Sequence, residues 1–380
     1  MKCIINGKVI LKDCVAENLA IIFDEKIEKI CDAKDVNLSD YEVIDAKGNF
    51  VAPGLVDMHI HGYLGEDVSD GSVDGILTMA EGIIKNGVTA WCPTTMTVSK
   101  AEIEAAFDCV REVKNKSEYY GSRILGVNSE GPFINPSKKG AQAEEHILTP
   151  DGDFIKKHSD VVKLFTVAPE VDGADECIEK VTAETSVLIS MGHTNATFEE
   201  ANNGIEKGVR HATHLFNAMT PLTHRGPGVV GAALASDSVS VELIADTFHV
   251  NAGLFGLVYK VKGEKLCLIT DCIRAGGMPD GDYTLGGQPV HKEGIKCLMP
   301  DGTIAGSVLT LNKAVYNFWT NAKINVWEAV NCASLNPATA LGEDKEIGSL
   351  EVGKRADIII ANDKFDINTT ILAGQVRYNG

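Results

Sequence analysis

The sequence predicts an α/β protein: a (β/α)8 barrel of the TIM type carrying a small β-sandwich domain formed from both chain ends. Three observations carry that expectation. Eight short apolar runs alternate with helix-period segments between residues 53 and 346. The two ends, 1–52 and 347–380, read as short strands and turns, each too small to bury a core alone. The length, 380 residues, suits one large domain with a smaller companion.

Taken in order, the N-terminal part opens with short strands around Asn6-Gly7, a type I′ hairpin signal. A second hairpin is expected around Asp24-Glu25-Lys26, and Lys47-Gly48-Asn49 turns a third. At Pro53 the pattern changes. Barrel strands are expected at 55–59, 88–92, 124–128, 161–167, 187–190, 211–214, 239–245 and 266–270. Near-continuous apolar runs mark strands buried on both faces, as in a parallel sheet covered by helices. Ser99-x-x-Glu102 and Thr197-x-x-Glu200 fit capping boxes, which satisfy free amides in a first helical turn. An open doubly wound sheet shares this alternation, since strand order is not visible, but eight consecutive units favour the closed form. After the eighth strand, 283–290 and 295–299 predict a β-hairpin insertion, followed by helices at 309–322 and from 326. The tail returns to strands at 357–361, 369–372 and 375–378, so the two ends are expected to meet in one sheet domain.

Composition narrows the function. The chain holds 35 basic and 53 acidic residues, a net charge of −18. Such an acidic protein is ill-suited to general binding of nucleic acid or anionic membrane, so an anionic substrate needs a local cationic pocket. The 10 cysteines include no CxxC pair, which points to free thiols in a reducing cytoplasm. Neither a signal-peptide core nor a run of transmembrane length is present, so a cytoplasmic protein is expected.

The chemistry gathers where strands end. In a parallel barrel the reactive residues project from the carboxyl ends of the strands, on one face. His59 and His61 close the first strand, and residues two apart on a strand point the same way. Glu130 follows the third strand, His193 the fifth, His214 the sixth, His249 the seventh and Asp271 the eighth. Four imidazoles and one carboxylate suit divalent zinc or ferrous iron. Five ligands exceed the needs of one catalytic ion with an open position. A shared Glu130 resolves this, with His59 and His61 on one ion and His193 and His214 on the other. Asp271 is then free to carry a proton. Singly, each residue also has a structural reading, as a hydrogen-bonded core histidine or a capping acid. His211 is expected to face away from the ions, and His224 to line the pocket. Arg225, in the loop Thr223–Gly228, suits a phosphate together with amides at Asn217 and Ala218, although an arginine in an acidic chain can equally pair with a neighbouring acid.

The motifs PGLVDMHIHG, NSEGPFINPSKKGA, MGHTNA, THLFNAMTP, HRGPG and LITD resemble, in order, those of the N-acetylglucosamine-6-phosphate deacetylases of the amidohydrolase superfamily. GSLEVGKRADIIIAN resembles that superfamily's return into the small β domain. The resemblance spans essentially the whole chain and implies hydrolysis of N-acetylglucosamine 6-phosphate to glucosamine 6-phosphate and acetate, by a homodimer. It implies Glu130, His193 and His214 as ligands of the main ion, Asp271 as general base and acid, and Asn217, Ala218, Arg225 and His249 as sugar-phosphate contacts. Some members carry Gln-x-Asn in place of the first pair, so His59 and His61 place this chain with the two-ion branch. Gln142 stands where some members have a histidine on the substrate acetyl group. A glutamine donates a hydrogen bond there but carries no charge. Rival expectations are another amidohydrolase, acting on a different N-acyl sugar or on a cyclic amide with a carboxylated lysine as bridge, for which Lys163 lies at the wrong end of its strand; a nucleobase deaminase; and a barrel without activity, which should have lost ligands.

Overall fold

Eight parallel strands circle the centre of the molecule. In this computed structural model, which describes residues 1–380, they are β1 (Leu55–Ile60), β2 (Val88–Thr95), β3 (Val127–Phe133), β4 (Val162–Val167), β5 (Leu188–Met191), β6 (His211–Ala212), β7 (Ser240–Ile244) and β8 (Leu266–Ile269). Pairing runs in chain order from β1 to β8. The ring closes at the carboxyl ends, where Asp271 N donates to His59 O (2.9 Å) and His61 N to Cys272 O (2.8 Å). Every residue of β1, β2 and β3 is buried, as strands covered on both faces must be. On β1 the odd-numbered side chains turn into the barrel, where Asp57 accepts from Thr270 Oγ1 at 2.7 Å. Helices Lys100–Val113 and Phe198–Lys207 start at the two expected capping boxes, Ser99/Glu102 and Thr197/Glu200.

Three local expectations need correction. The sixth strand stops at Ala212, because His214, Phe216 and Ala218 take left-handed φ values of 28°, 80° and 52° and coil the chain away from the sheet. The third strand extends to Phe133, so Glu130 lies within it. The insertion has three strands, Gly281–Leu285, Gln288–Glu293 and Lys296–Leu298.

The ends form two further sheets. One runs Ile27–Asp32, Leu19–Phe23, Lys2–Ile5, Glu42–Asp45. The other joins both termini in the order Gln375–Asn379, Ile367–Leu372, Ile358–Ala361, Phe50–Pro53, Lys8–Ile10, Val15–Ala16. Ile4, Phe23 and Ile27 of the first pack with Val51, Ile358, Ile360 and Ile371 of the second in one buried cluster. That sandwich overturns two hairpins. Lys2–Ile5 and Lys8–Ile10 belong to different sheets, so Asn6-Gly7 is a crossover between layers. Lys47-Gly48 plays the same part between Glu42–Asp45 and Phe50–Pro53. Only the turn at Asp24-Glu25-Lys26 joins antiparallel neighbours.

Candidate active site

The carboxyl ends of the strands bring the six expected residues together. His59 and His61 leave β1 on the same side, with their Nε2 atoms 3.2 Å apart. Asp271, just past β8, places Oδ1 3.3 Å from His61 Nε2 and 3.6 Å from His59 Nε2. Across the barrel, His193 and His214 bring their Nε2 atoms to 3.1 Å of each other. Glu130 stands between the pairs. Its Oε1 is 2.8 Å from His214, 3.1 Å from His193 and 3.5 Å from His59, and its Oε2 is 3.3 Å from His61. Two ligand groups result, His59–His61–Asp271 and Glu130–His193–His214, each with its donor atoms within 4.8 Å of one another. Asp271 therefore shares the first position with the histidine pair, where the sequence left it apart as a proton carrier.

The remote nitrogens of three of the four histidines show that these sites fit cations, while His214 Nδ1 has no partner. His59 Nδ1 lies 2.9 Å from Glu242 Oε2, His61 Nδ1 3.2 Å from Thr94 O, and His193 Nδ1 2.8 Å from Lys138 O. Carboxylates and carbonyls only accept, so each Nδ1 carries a proton, and each ring in its neutral form turns an Nε2 lone pair inward. Lone pairs and carboxylates converging in a buried space call for positive charge. In the chain alone protons meet that need: burial opposes charge on His59, but Glu242, Glu130 and Asp271 outweigh it and hold the imidazole up to about 9. Burial likewise opposes charge on Asp271, and His61 and His59 outweigh it, keeping the carboxyl below its usual range. A divalent ion would replace those protons.

The site floors a cavity of about 360 Å³. Of the expected substrate contacts, Gln142, Asn217, Ala218 and His249 line it. Gln142 is committed to the protein: its Nε2 donates to Glu130 Oε2 (2.7 Å) and its Oε1 accepts from Thr97 N (2.6 Å). His249 is braced by Asp246, whose Oδ2 is 2.6 Å from Nδ1. The Asn217 amide donates to His214 O at 3.0 Å, so it is not a free donor. His224 and Arg225 lie on an exposed turn, outside the cavity lining. Arg225 pairs with no acid. His211 turns away from the ligand groups, as expected, onto Glu242 Oε1 at 3.2 Å.

Sequence reasoning missed Glu242, Asp246 and Glu170. Glu170 accepts from Thr194 Oγ1, Asn195 N and Asn135 Nδ2, tying the loop after His193 to the loop after β3. For Glu242 a signal existed, as the lone acid inside an apolar strand run, but its partners lie far away in sequence.

A model of the amidohydrolase family matches residues 50–377. The N-acetylglucosamine-6-phosphate deacetylase of Bacillus subtilis is 36% identical over 364 residues, 94% of this chain and 92% of its own. Among solved structures, N-acetylglucosamine-6-phosphate deacetylase from Pasteurella multocida superposes with a TM-score of 0.94 at 32% identity, covering 100% of both chains. A mutant of the Mycobacterium smegmatis N-acetyl-D-glucosamine-6-phosphate deacetylase, in complex with N-acetyl-D-glucosamine-6-phosphate, superposes at 0.92 with 26% identity over 100% of this chain and 99% of that one.

Proposed function

From a chain that belongs to the amidohydrolase family, with N-acetylglucosamine-6-phosphate deacetylases as its relatives, we infer a hydrolase that converts N-acetylglucosamine 6-phosphate to glucosamine 6-phosphate and acetate. The observation that carries this reading is the pair of ligand groups at the floor of the cavity, with Glu130 standing between them.

His59, His61 and Asp271 would hold one divalent ion, and Glu130, His193 and His214 the other, as zinc or iron. Bound there, the ions polarise the amide carbonyl and lower the pKa of water. The remaining work falls to the chain. Asp271, at 8% exposure, reaches the cavity and is the group that takes a proton from the attacking water. It returns that proton to the sugar nitrogen as the C–N bond breaks, so acetate and a free amine leave. Gln142 holds Glu130 in place, and its reach to the acetyl oxygen requires exchange of one of its present partners. His249, with Asn217 and Ala218, would take the sugar-phosphate end, and Arg225 completes that contact if it is brought to the mouth.

The same reading takes 53–346 as the barrel domain and 1–52 with 347–380 as the small one, supported by the sheet that joins both termini. It includes a homodimer in the cytoplasm. The dimer rests on the family resemblance; for the compartment, the thiols are all free, and no helix is long and apolar enough to cross a membrane.

The test is acetate release from N-acetylglucosamine 6-phosphate by protein reconstituted with zinc or ferrous iron, against its unphosphorylated form and its galactosamine epimer. Metal-dependent turnover highest on the phosphorylated glucosamine derivative is expected. Turnover indifferent to the phosphate would overturn the substrate assignment, and turnover unaffected by chelation would overturn the metal centre.

A further inference from the structure

Glu242 sits in the middle of β7 at 0% exposure, in a strand whose five residues are all buried. A carboxylate in such a place must be compensated by the groups around it. Its partners are specific. Oε2 is 2.9 Å from His59 Nδ1 and accepts from the His214 backbone amide at 2.9 Å, while Oε1 is 3.2 Å from His211 Nε2. Its own carbonyl accepts from Leu215 N at 2.9 Å. His214 has a φ of 28°, a conformation that a residue with a side chain keeps only when its surroundings enforce it. One buried residue thus grips the ring of one ligand group and the main chain of the other.

Building on the two-ion reading above, we propose that Glu242 is a positioning residue that couples the two ion positions. It holds His59 in the Nδ1–H form, with Nε2 aimed at the first position, and clamps the turn that presents His214 to the second. A charged acceptor behind an imidazole also makes its other nitrogen a stronger ligand. His211 completes the arrangement: with its Nε2 proton given to Glu242, its Nδ1 accepts from Ser240 Oγ at 2.6 Å.

The charge and the clamp separate by mutation. In Glu242→Gln the amide oxygen can keep both the His59 and His214 contacts while the NH2 turns to His211, whose proton shifts to Nδ1. Only the charge is lost. In Glu242→Leu the clamp goes as well. The probe is cobalt(II), titrated into metal-free protein against a chromophoric chelator, with His59→Ala/His61→Ala fixing the affinity of the second position. E242Q should weaken the first position by about 10- to 100-fold and leave the second near its wild-type affinity. E242L should weaken both. Equal weakening of the two positions by E242Q, or of neither, overturns the proposal. If the variants do not fold, histidine 15N NMR of zinc-loaded wild-type protein decides: a His59 with a low-field proton on Nδ1 supports it, and a His59 without one overturns it. A wild-type chain that takes up one cobalt overturns the two-ion reading instead. If that ion is held by His59, E242Q should weaken it; if it is held by His214, E242L should weaken it and E242Q should not, and any other result overturns the role of Glu242.

Discussion

Asp271 answers two demands at the scale of one residue. Its Oδ1 lies close enough to the first histidine pair to share an ion with them, and it borders the cavity where a proton must move. Replacement by asparagine keeps the shape but removes both the negative charge and the proton acceptor. Asp271→Asn should lower kcat by about 10²- to 10⁴-fold with little change in KM, since substrate contacts lie elsewhere. Elemental analysis of the same variant should show the first position weakened and the Glu130–His193–His214 position retained. A variant with nearly full kcat would assign the proton to another group and leave Asp271 a structural cap.

On the proposed function, selectivity is tested at the scale of an element by the turn after β6. Neither the ligand groups nor Asp271 distinguishes one N-acetyl sugar from another, so discrimination must come from the far end of the substrate. His249 lines the cavity, whereas Arg225 stands on an exposed turn in which Thr223 N donates to Gly226 O at 3.1 Å. Arg225 is outside the cavity lining, so meeting a phosphate there requires its side chain or this turn to move to the mouth, or a second copy of the chain to supply it. A charge-assisted contact from arginine is worth roughly 1.5–3 kcal/mol, or about 10- to 100-fold in kcat/KM. Arg225→Ala should cost that factor on N-acetylglucosamine 6-phosphate and almost nothing on the unphosphorylated sugar. The ratio of the two substrates is the measure, because it cancels general damage. Equal losses on both would make Arg225 a residue of the turn alone.

Across the whole molecule the ions and the fold are linked. The ligands come from β1, β3, the end of β8 and the loops after β5 and β6, so bound ions tie together strands spread around the ring. An ion that binds only the folded chain stabilises it by about 2.7 kcal/mol when present at a hundred times its Kd. For two ions in a chain of this length, removal should lower the melting temperature by about 7 °C. Calorimetry with and without chelator measures this. The double variant His59→Ala/His61→Ala should keep one equivalent of metal and roughly half of that shift. A melting temperature indifferent to chelation would mean that no ion is held at this centre.

Much of this was legible in the sequence because it depends on short-range rules. Alternation along β1 turns His59 and His61 the same way whatever surrounds them, and the strand–helix rhythm aligns the ends of successive strands on one face. Ser99/Glu102 and Thr197/Glu200 cap their helices through contacts three residues apart. Tertiary structure alone decided what depends on distant partners. Asn6-Gly7 has hairpin chemistry, yet Lys2–Ile5 pairs with Leu19–Phe23 and Glu42–Asp45, because burying two sheets against each other outweighs one local turn. Arg225 has phosphate chemistry, yet the turn that carries it is exposed and Arg225 is outside the cavity lining. Glu242 and His59 are 183 residues apart and meet only when the ring is formed. The sequence by itself determined which residues could serve as ligands and that they share one end of a barrel. Only the closed ring decided that Asp271 joins the His59–His61 pair and which buried carboxylate braces the ligands, since those are distances across strands that no local pattern encodes.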